Sequence, residues 1–291
     1  MLFLTLGILC NVILLIVLKS FNKFGIPSLQ GIVVNYFVAG TTALFFVGEP
    51  YTLPEVVHAD FFPISLLLGA LFISIFYLIS LTAQKINIAV ASVANKMSVV
   101  MPVIIAFMFY GDQVTILKIV GIILALSSVY LTTKPSGSTE KKSGSLLFLP
   151  IAVFIGSGII DSLINYANKR LIHTPKEDAL FTGFGFYIAG CIGILWLLYM
   201  IAFKKEKFVW KSIIGGIVLG VPNFFSIYFI LKALSCGVFE SSQLYPIANV
   251  FIVILSSLAG VVLFKEKLSK VNAIGILLSV VAIGLIAIKF S

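Results

Sequence analysis

Among the charged side chains that fall within apolar runs of this sequence, Lys96, Asp161 and Glu240 stand out. A charge in mid-membrane costs roughly 2.5–3.5 kcal/mol on insertion scales, so it faces a bundle interior or a water-filled cavity and is held by a partner. Lys96 sits in the run Ile88 to Tyr110, which is long and apolar enough to cross a bilayer. Ser92 lies one helical turn before it on the same face, and Asn95 is its neighbour. A helix starting at Ile88 puts Lys96 about 12 Å inside at 1.5 Å per residue. That is far for a lysine to snorkel to an interface, which is the alternative. Pro102 removes a backbone donor just past the charge and predicts a bend there. An ammonium flanked by a hydroxyl and an amide suits an anionic group such as a carboxylate or phosphate.

Asp161, Asn165 and Asn168, with Ser157 one turn earlier, recur at helical spacing and share one face. Such a stripe either lines a cavity or makes helix–helix hydrogen bonds worth about 0.6 kcal/mol each. Asp161 is the candidate for proton coupling, since burial raises a carboxylate pKa and a nearby cation lowers it. The same helix ruler puts Asn35 and Tyr36 near the depth of Lys96, and Gln243 and Tyr245 near that of Asp161. The two levels are roughly 10 Å apart, a span that a substrate bearing both charges can bridge. The expected substrate-binding set is therefore Lys96, Asn95, Ser92, Asn35, Tyr36, Asp161, Asn165, Gln243 and Tyr245. Glu240 lies near the start of its run with Lys232 close by, and reads as an interfacial ion pair. Pro222-Asn223 and Tyr245-Pro246 are expected to break their helices. Gly216 and Gly220, spaced as GxxxG, predict close helix packing.

The elements that position these groups are membrane helices. The 291 residues are 60% hydrophobic and 11% charged, with a mean hydropathy of +1.16, where a soluble domain carries about 25% charge. The net charge of +9 falls mainly in short loops, so it sets orientation rather than nucleic-acid binding. Cys10, Cys191 and Cys236 have neither disulfide nor metal spacing. With only His58 and His173, both in loops, no histidine triad or zinc site is expected. Gly156-Ser157-Gly158 is not a nucleophile elbow, and there is no P-loop. No enzyme activity and no cofactor are expected. The first run, Leu2 to Leu18, lacks a preceding basic region and a small-residue cleavage site, and reads as a retained helix.

About ten spans follow, near 2–19, 28–48, 61–84, 88–110, 113–133, 146–168, 177–203, 210–232, 238–264 and 270–289. A polar linker, 135–145, separates a first five-helix repeat, 1–134, from a second, 146–291. At an offset of 150, Asn11 aligns with Asp161, Lys19 with Lys169, Gly40 with Gly190, Ala83 with Ala233 and Ser92 with Ser242. Four further residues are inserted before Asp112 meets Glu266 and Gly121 meets Gly275. An odd number of spans per repeat inverts the second half, so the fold class is an all-α membrane protein of two inverted five-helix repeats. Lysines crowd the odd-numbered loops, while Glu49, Glu55 and Asp60 lie on the other face. Positive-inside places the odd loops in the cytoplasm and both termini outside.

The chain resembles the drug/metabolite transporter superfamily, specifically ten-span EamA-type carriers, over essentially its whole length. The resemblance rests on Ala83 to Ser92 leading into Asn95 to Pro102, then Tyr110 to Val114 and Gly121. It recurs in Ala233 to Ser242, Phe264 to Leu268 and Gly275. It departs in two places. Asp112 stands where the family usually has a glutamate, matched regularly by Glu266 in the second half, and well-known members keep both termini in the cytoplasm. The resemblance implies a metabolite carrier or exporter working by alternating access. With the charged residues above, the leading reading is a secondary transporter of a small polar or zwitterionic metabolite in the plasma (inner) membrane, exchanging it for protons as one option. The alternatives are a proton-coupled exporter of lipophilic cations, or a membrane enzyme or scaffold without transport. The expected partners are a small-molecule substrate and the lipid bilayer, no nucleic acid, and either a monomer or a homodimer.

Overall fold

The computed structural model describes residues 1–109, 115–133, 146–236 and 241–287. Every element among them is a helix, since apolar backbone in lipid must satisfy its own hydrogen bonds. In chain order these are α1 (Leu2–Phe24), α2 (Ser28–Phe45), α3 (Leu53–Val57), α4 (Phe62–Lys85), α5 (Ile88–Met97) and α6 (Val100–Phe109). Then come α7 (Ile116–Thr133), α8 (Phe148–Arg170), α9 (Pro175–Lys204), α10 (Lys211–Ser235), α11 (Ser241–Phe264) and α12 (Lys270–Ala287). Among the described residues nine stretches are long and apolar enough to cross a membrane, with Lys270–Ile286 a shorter tenth. The chain is thus an integral membrane protein. The linker, Asp112 and Glu240 lie outside the described residues.

Local chemistry sets the ends of the helices. Thr52 with Glu55, and Thr174 with Glu177, form capping boxes at α3 and α9. Asn87 accepts from Val90 N–H at 2.7 Å and caps α5. Asn272 caps α7 from outside, donating to the Leu131 and Thr132 carbonyls at 3.2 and 2.9 Å.

The chain divides into two compact units that cut across the two sequence halves. Unit 1 holds Met1–Lys19, Leu78–Ile159 and Phe225–Ser291, and unit 2 holds Ser20–Tyr77 and Ile160–Phe224. In unit 1, α12 packs along α7, and α5 lies against α7 and α11. Val93, Met97, Val100, Ala125, Val253 and Ala282 form its core. A Cβ on Gly121 would lie 2.7 Å from Ile286, and one on Gly275 2.8 Å from Thr132, so the two helices run antiparallel in close contact. In unit 2, α2 packs along α9. A Cβ on Gly40 would lie 2.9 Å from Tyr187, and one on Gly190 2.9 Å from Phe37, again an antiparallel pair. Gly216 and Gly220 bring α10 against α2 as their spacing predicts, each 2.8 Å (as Cβ) from a backbone carbonyl, those of Gly31 and Asn35.

One expectation about the prolines is corrected. α10 and α11 run continuously through Pro222 and Pro246. Pro246 denies a donor only to Ser242 in the first turn of α11, where the helix is just starting. One missing bond inside the 25-residue α10 does not end it either. The fourth span alone is interrupted, at Ser98–Val99 between α5 and α6. Ser98 is the carbonyl that Pro102 would clash with, and it accepts instead from Met101 N–H at 2.8 Å. The Ser98 hydroxyl bonds the Asn95 carbonyl at 2.5 Å, a side chain competing with the helix ladder.

Candidate functional site

The break leaves Lys96 in the last turn of a ten-residue helix. There the orphan carbonyls and the negative end of the helix dipole favour a cation. The first seven residues of α5, Ile88 to Ala94, are all buried, so the helix is rigidly set. Lys96 is half-buried, and its ammonium reaches Asn11 Oδ1 of α1 at 3.4 Å, near the long end of the range. Asn11 in turn donates Nδ2 to its own helix at Gly7 O, 3.1 Å, which turns its oxygen toward the lysine. Ser92 is fully buried, and its hydroxyl has no hydrogen-bond partner among the described residues. Asn95 is half-buried beside them. Tyr245, in the second turn of α11, is 43% exposed. Gln243 lies in the first turn of α11, and its side chain is outside the described set. Unit 1 thus brings Lys96, Ser92 and Asn95 onto one helix and sets the Asn11 oxygen against the lysine from another, which leaves the ammonium as the group suited to an anion.

No family model matches the chain. An uncharacterized protein of Haemophilus influenzae is 32% identical over 284 residues, covering 95% of this chain and 94% of that protein. This chain belongs to the family of that Haemophilus protein. A solved crystal structure superposes with a TM-score of 0.58 over 96% of this chain and 95% of that one, at 15% identity, which shows a shared fold. Membership in the family covers both units.

Unit 2 carries the rest of the expected set. Asn35 and Asn223 sit at mid-helix on α2 and α10, joined by Asn223 Nδ2 donating to Asn35 Oδ1 at 3.1 Å. Asn35 is fully buried, and its own Nδ2 has no acceptor. Tyr36 is also buried, with its hydroxyl donated to Phe72 O at 2.8 Å and its ring among Phe72, Phe76 and Phe186. Those contacts make it a packing residue. On α8, Asp161, Asn165 and Asn168 are exposed while Ala167 is fully buried in the unit 2 core. A polar stripe at membrane depth faces other helices or a water-filled cavity rather than lipid. At the rim, Lys176 pairs with Glu55 at 2.7 Å, and the hydrogen bond from Lys176 holds the Glu55 carboxyl below its ordinary value. Among the described residues no three metal-ligand side chains are grouped.

Sequence reasoning missed Asn11 and Asn223 as site residues. Asn11 had a signal, as the one amide in the apolar run Leu2 to Leu18, standing 150 residues before Asp161. Asn223 was hidden by its neighbour Pro222, which drew attention to the backbone.

Proposed function

We propose that this protein is a secondary transporter of the drug/metabolite transporter kind, EamA-type. In this reading it moves a small polar or zwitterionic metabolite across the inner membrane by alternating access, with Lys96 holding the anionic group of the substrate. The observation that carries the reading is the interrupted fourth span, with a lysine in the last turn of its first half. Discontinuous helices whose ends face a substrate at the midplane are how many secondary carriers build their sites.

The inverted repeat is supported by contacts that map onto themselves. Gly40 meets Tyr187 and Gly190 meets Phe37, which are the same two positions exchanged at an offset of 150. Gly121 meets Ile286 and Gly275 meets Thr132, exchanged at an offset of 154. Such reciprocity is what a two-fold relation requires, each position of one repeat touching its counterpart in the other. Each compact unit also draws corresponding segments from both halves. Loop charge favours cytoplasmic odd loops and external termini.

Exposure of the Asp161 stripe favours a second reading, export of lipophilic cations with proton exchange at that carboxylate. Purified protein should be screened by thermal shift against amino acids, nucleobases and organic acids, because a ligand bound to the folded state raises its apparent stability. Hits are then tested for uptake into proteoliposomes. Stabilisation and saturable uptake of a carboxylate-bearing compound is the expected result. Stabilisation by hydrophobic cations alone would favour the second reading, and no uptake of any stabilising compound would contradict both.

A further inference from the structure

The turn after α11 is built to return a carboxylate to another helix. Lys265 takes the left-handed conformation (φ 54°), and Glu266 N–H donates to Gly260 O at 3.1 Å, which satisfies one of the helix's last carbonyls. The Glu266 side chain then folds over Gly260, so closely that a Cβ there would collide with Oε2. Both carboxylate oxygens accept from Ile88 N–H at 3.1 Å, at the start of α5. The same carboxylate pairs with Lys19 at 2.9 Å, and the two side chains are only 8% and 16% exposed. Lys19 also donates to Ala83 O at 2.6 Å, and Gln84 Nε2 to Leu18 O at 2.7 Å. The odd-loop ends of α1, α4, α5 and α11 therefore converge on one ion pair, all within unit 1.

The short helix α5 is thus held at both ends by charge. An anion, Glu266, sits at its positive N-terminus and a cation, Lys96, at its negative C-terminus. We propose that the Lys19–Glu266 pair is a closed gate on the odd-loop face of unit 1, and that opening it withdraws the carboxylate from Ile88 N–H, leaves α5 with the Asn87 cap alone and loosens the helix that carries Lys96. The inference rests on the transport reading, and it assigns Glu266 and Lys19 as positioning residues for the lysine site. The gate requires the loss of Glu266 to loosen α5 selectively, with the buried helices of unit 2 unchanged.

The test uses full-length protein in proteoliposomes, with Cys10, Cys191 and Cys236 replaced by Ser and a reporter thiol introduced as Ala91→Cys, at a fully buried position of α5. A membrane-impermeant maleimide is applied from the odd-loop side. Glu266→Gln should speed labelling roughly tenfold or more, the equivalent of a hydrogen bond to a charged group. Gly260→Ala displaces the carboxylate without removing a charge and should do the same. Lys19→Met breaks the pair itself and should also speed labelling; a rate equal to that of the unsubstituted pair would remove Lys19 from the gate. A control reporter at Ala189→Cys, buried in unit 2, should stay slow. Unchanged labelling at position 91 in Glu266→Gln and Gly260→Ala, or an equal rise at position 189, would overturn the gate. A selective rise at position 91 in a protein that takes up none of glycine, glutamate or succinate would keep the gate and count against transport of that substrate class.

Discussion

Lys96 in the fourth span and Pro246 in the ninth stand at aligned positions of the two sequence halves, and the structure treats the two spans differently. The fourth is cut at Ser98–Val99, directly after a turn bearing an ammonium. The ninth runs unbroken from Ser241 to Phe264 through its proline. A proline alone therefore does not make a break. A mid-helix position does not decide either, since α10 runs through Pro222; what marks the fourth span is that the carbonyl four residues before its proline turns to another donor. In the fourth span that carbonyl is mid-helix, on Ser98, and Met101 N–H takes it. In the ninth it belongs to Ser242, in the first turn. If symmetric packing alone governed these spans, both halves would carry the same residue at the aligned place. The difference points to function in the first half and scaffold in the second.

The sharpest way to break this comparison is to exchange its two sides. Lys96→Met should lower uptake of a carboxylate substrate by roughly 10–100-fold, the range for a lost hydrogen bond to a charged group. Pro246→Ala should leave uptake within about twofold, as for a surface-like change. Proteoliposome uptake with matched protein incorporation measures both, and similar losses in the two variants would erase the asymmetry. Next in size is Asp161→Asn. If transport is proton-driven through the α8 stripe, its pH–rate profile should flatten while helical content by circular dichroism stays the same. An unchanged profile would remove Asp161 from coupling. Pro102→Ala should let Ser98 regain a normal acceptor bond and raise stability by about 1 kcal/mol, with slower transport as the break heals. Loss of thermal stability in that variant would contradict the account of the break.

The smallest effect concerns the exposed rim pair. Glu55 is held below its ordinary value of 4.5, chiefly by the hydrogen bond from Lys176. Its contribution to stability is therefore fully present above about pH 4.5 and is lost as pH falls through the lowered value. Lys176→Met should lower the melting temperature slightly at pH 7, and by progressively less as pH falls below about 4.5. An equal loss across that range would assign the effect to packing instead.

Much of the fold was legible because the bilayer restricts the choices. Apolar runs of sufficient length had to be helices, and the GxxxG spacing of Gly216 and Gly220 had to mark close packing. The interruption after Lys96 was legible for the same reason, since Pro102 lies mid-span. Helix continuity at Pro222 and Pro246 was not, because it depends on where each helix starts and what supports it. Side-chain partnerships were less legible still. Tyr36 looked available by depth, yet its hydroxyl is committed to Phe72 O, across to α4. The role of Glu266 at the start of α5 depends on the left-handed turn at Lys265 and the notch at Gly260, and it joins residues about 180 positions apart that no local pattern encodes.

The central claim is that Lys96 recognises the anionic group of the substrate. The most direct measurement is competitive uptake of a carboxylate substrate against its neutral amide, in wild-type protein and in Lys96→Met. The account predicts that the wild type prefers the carboxylate by roughly 10–100-fold and that the variant loses this preference while retaining slow uptake of the amide. A variant that still prefers the carboxylate by the wild-type margin would contradict it.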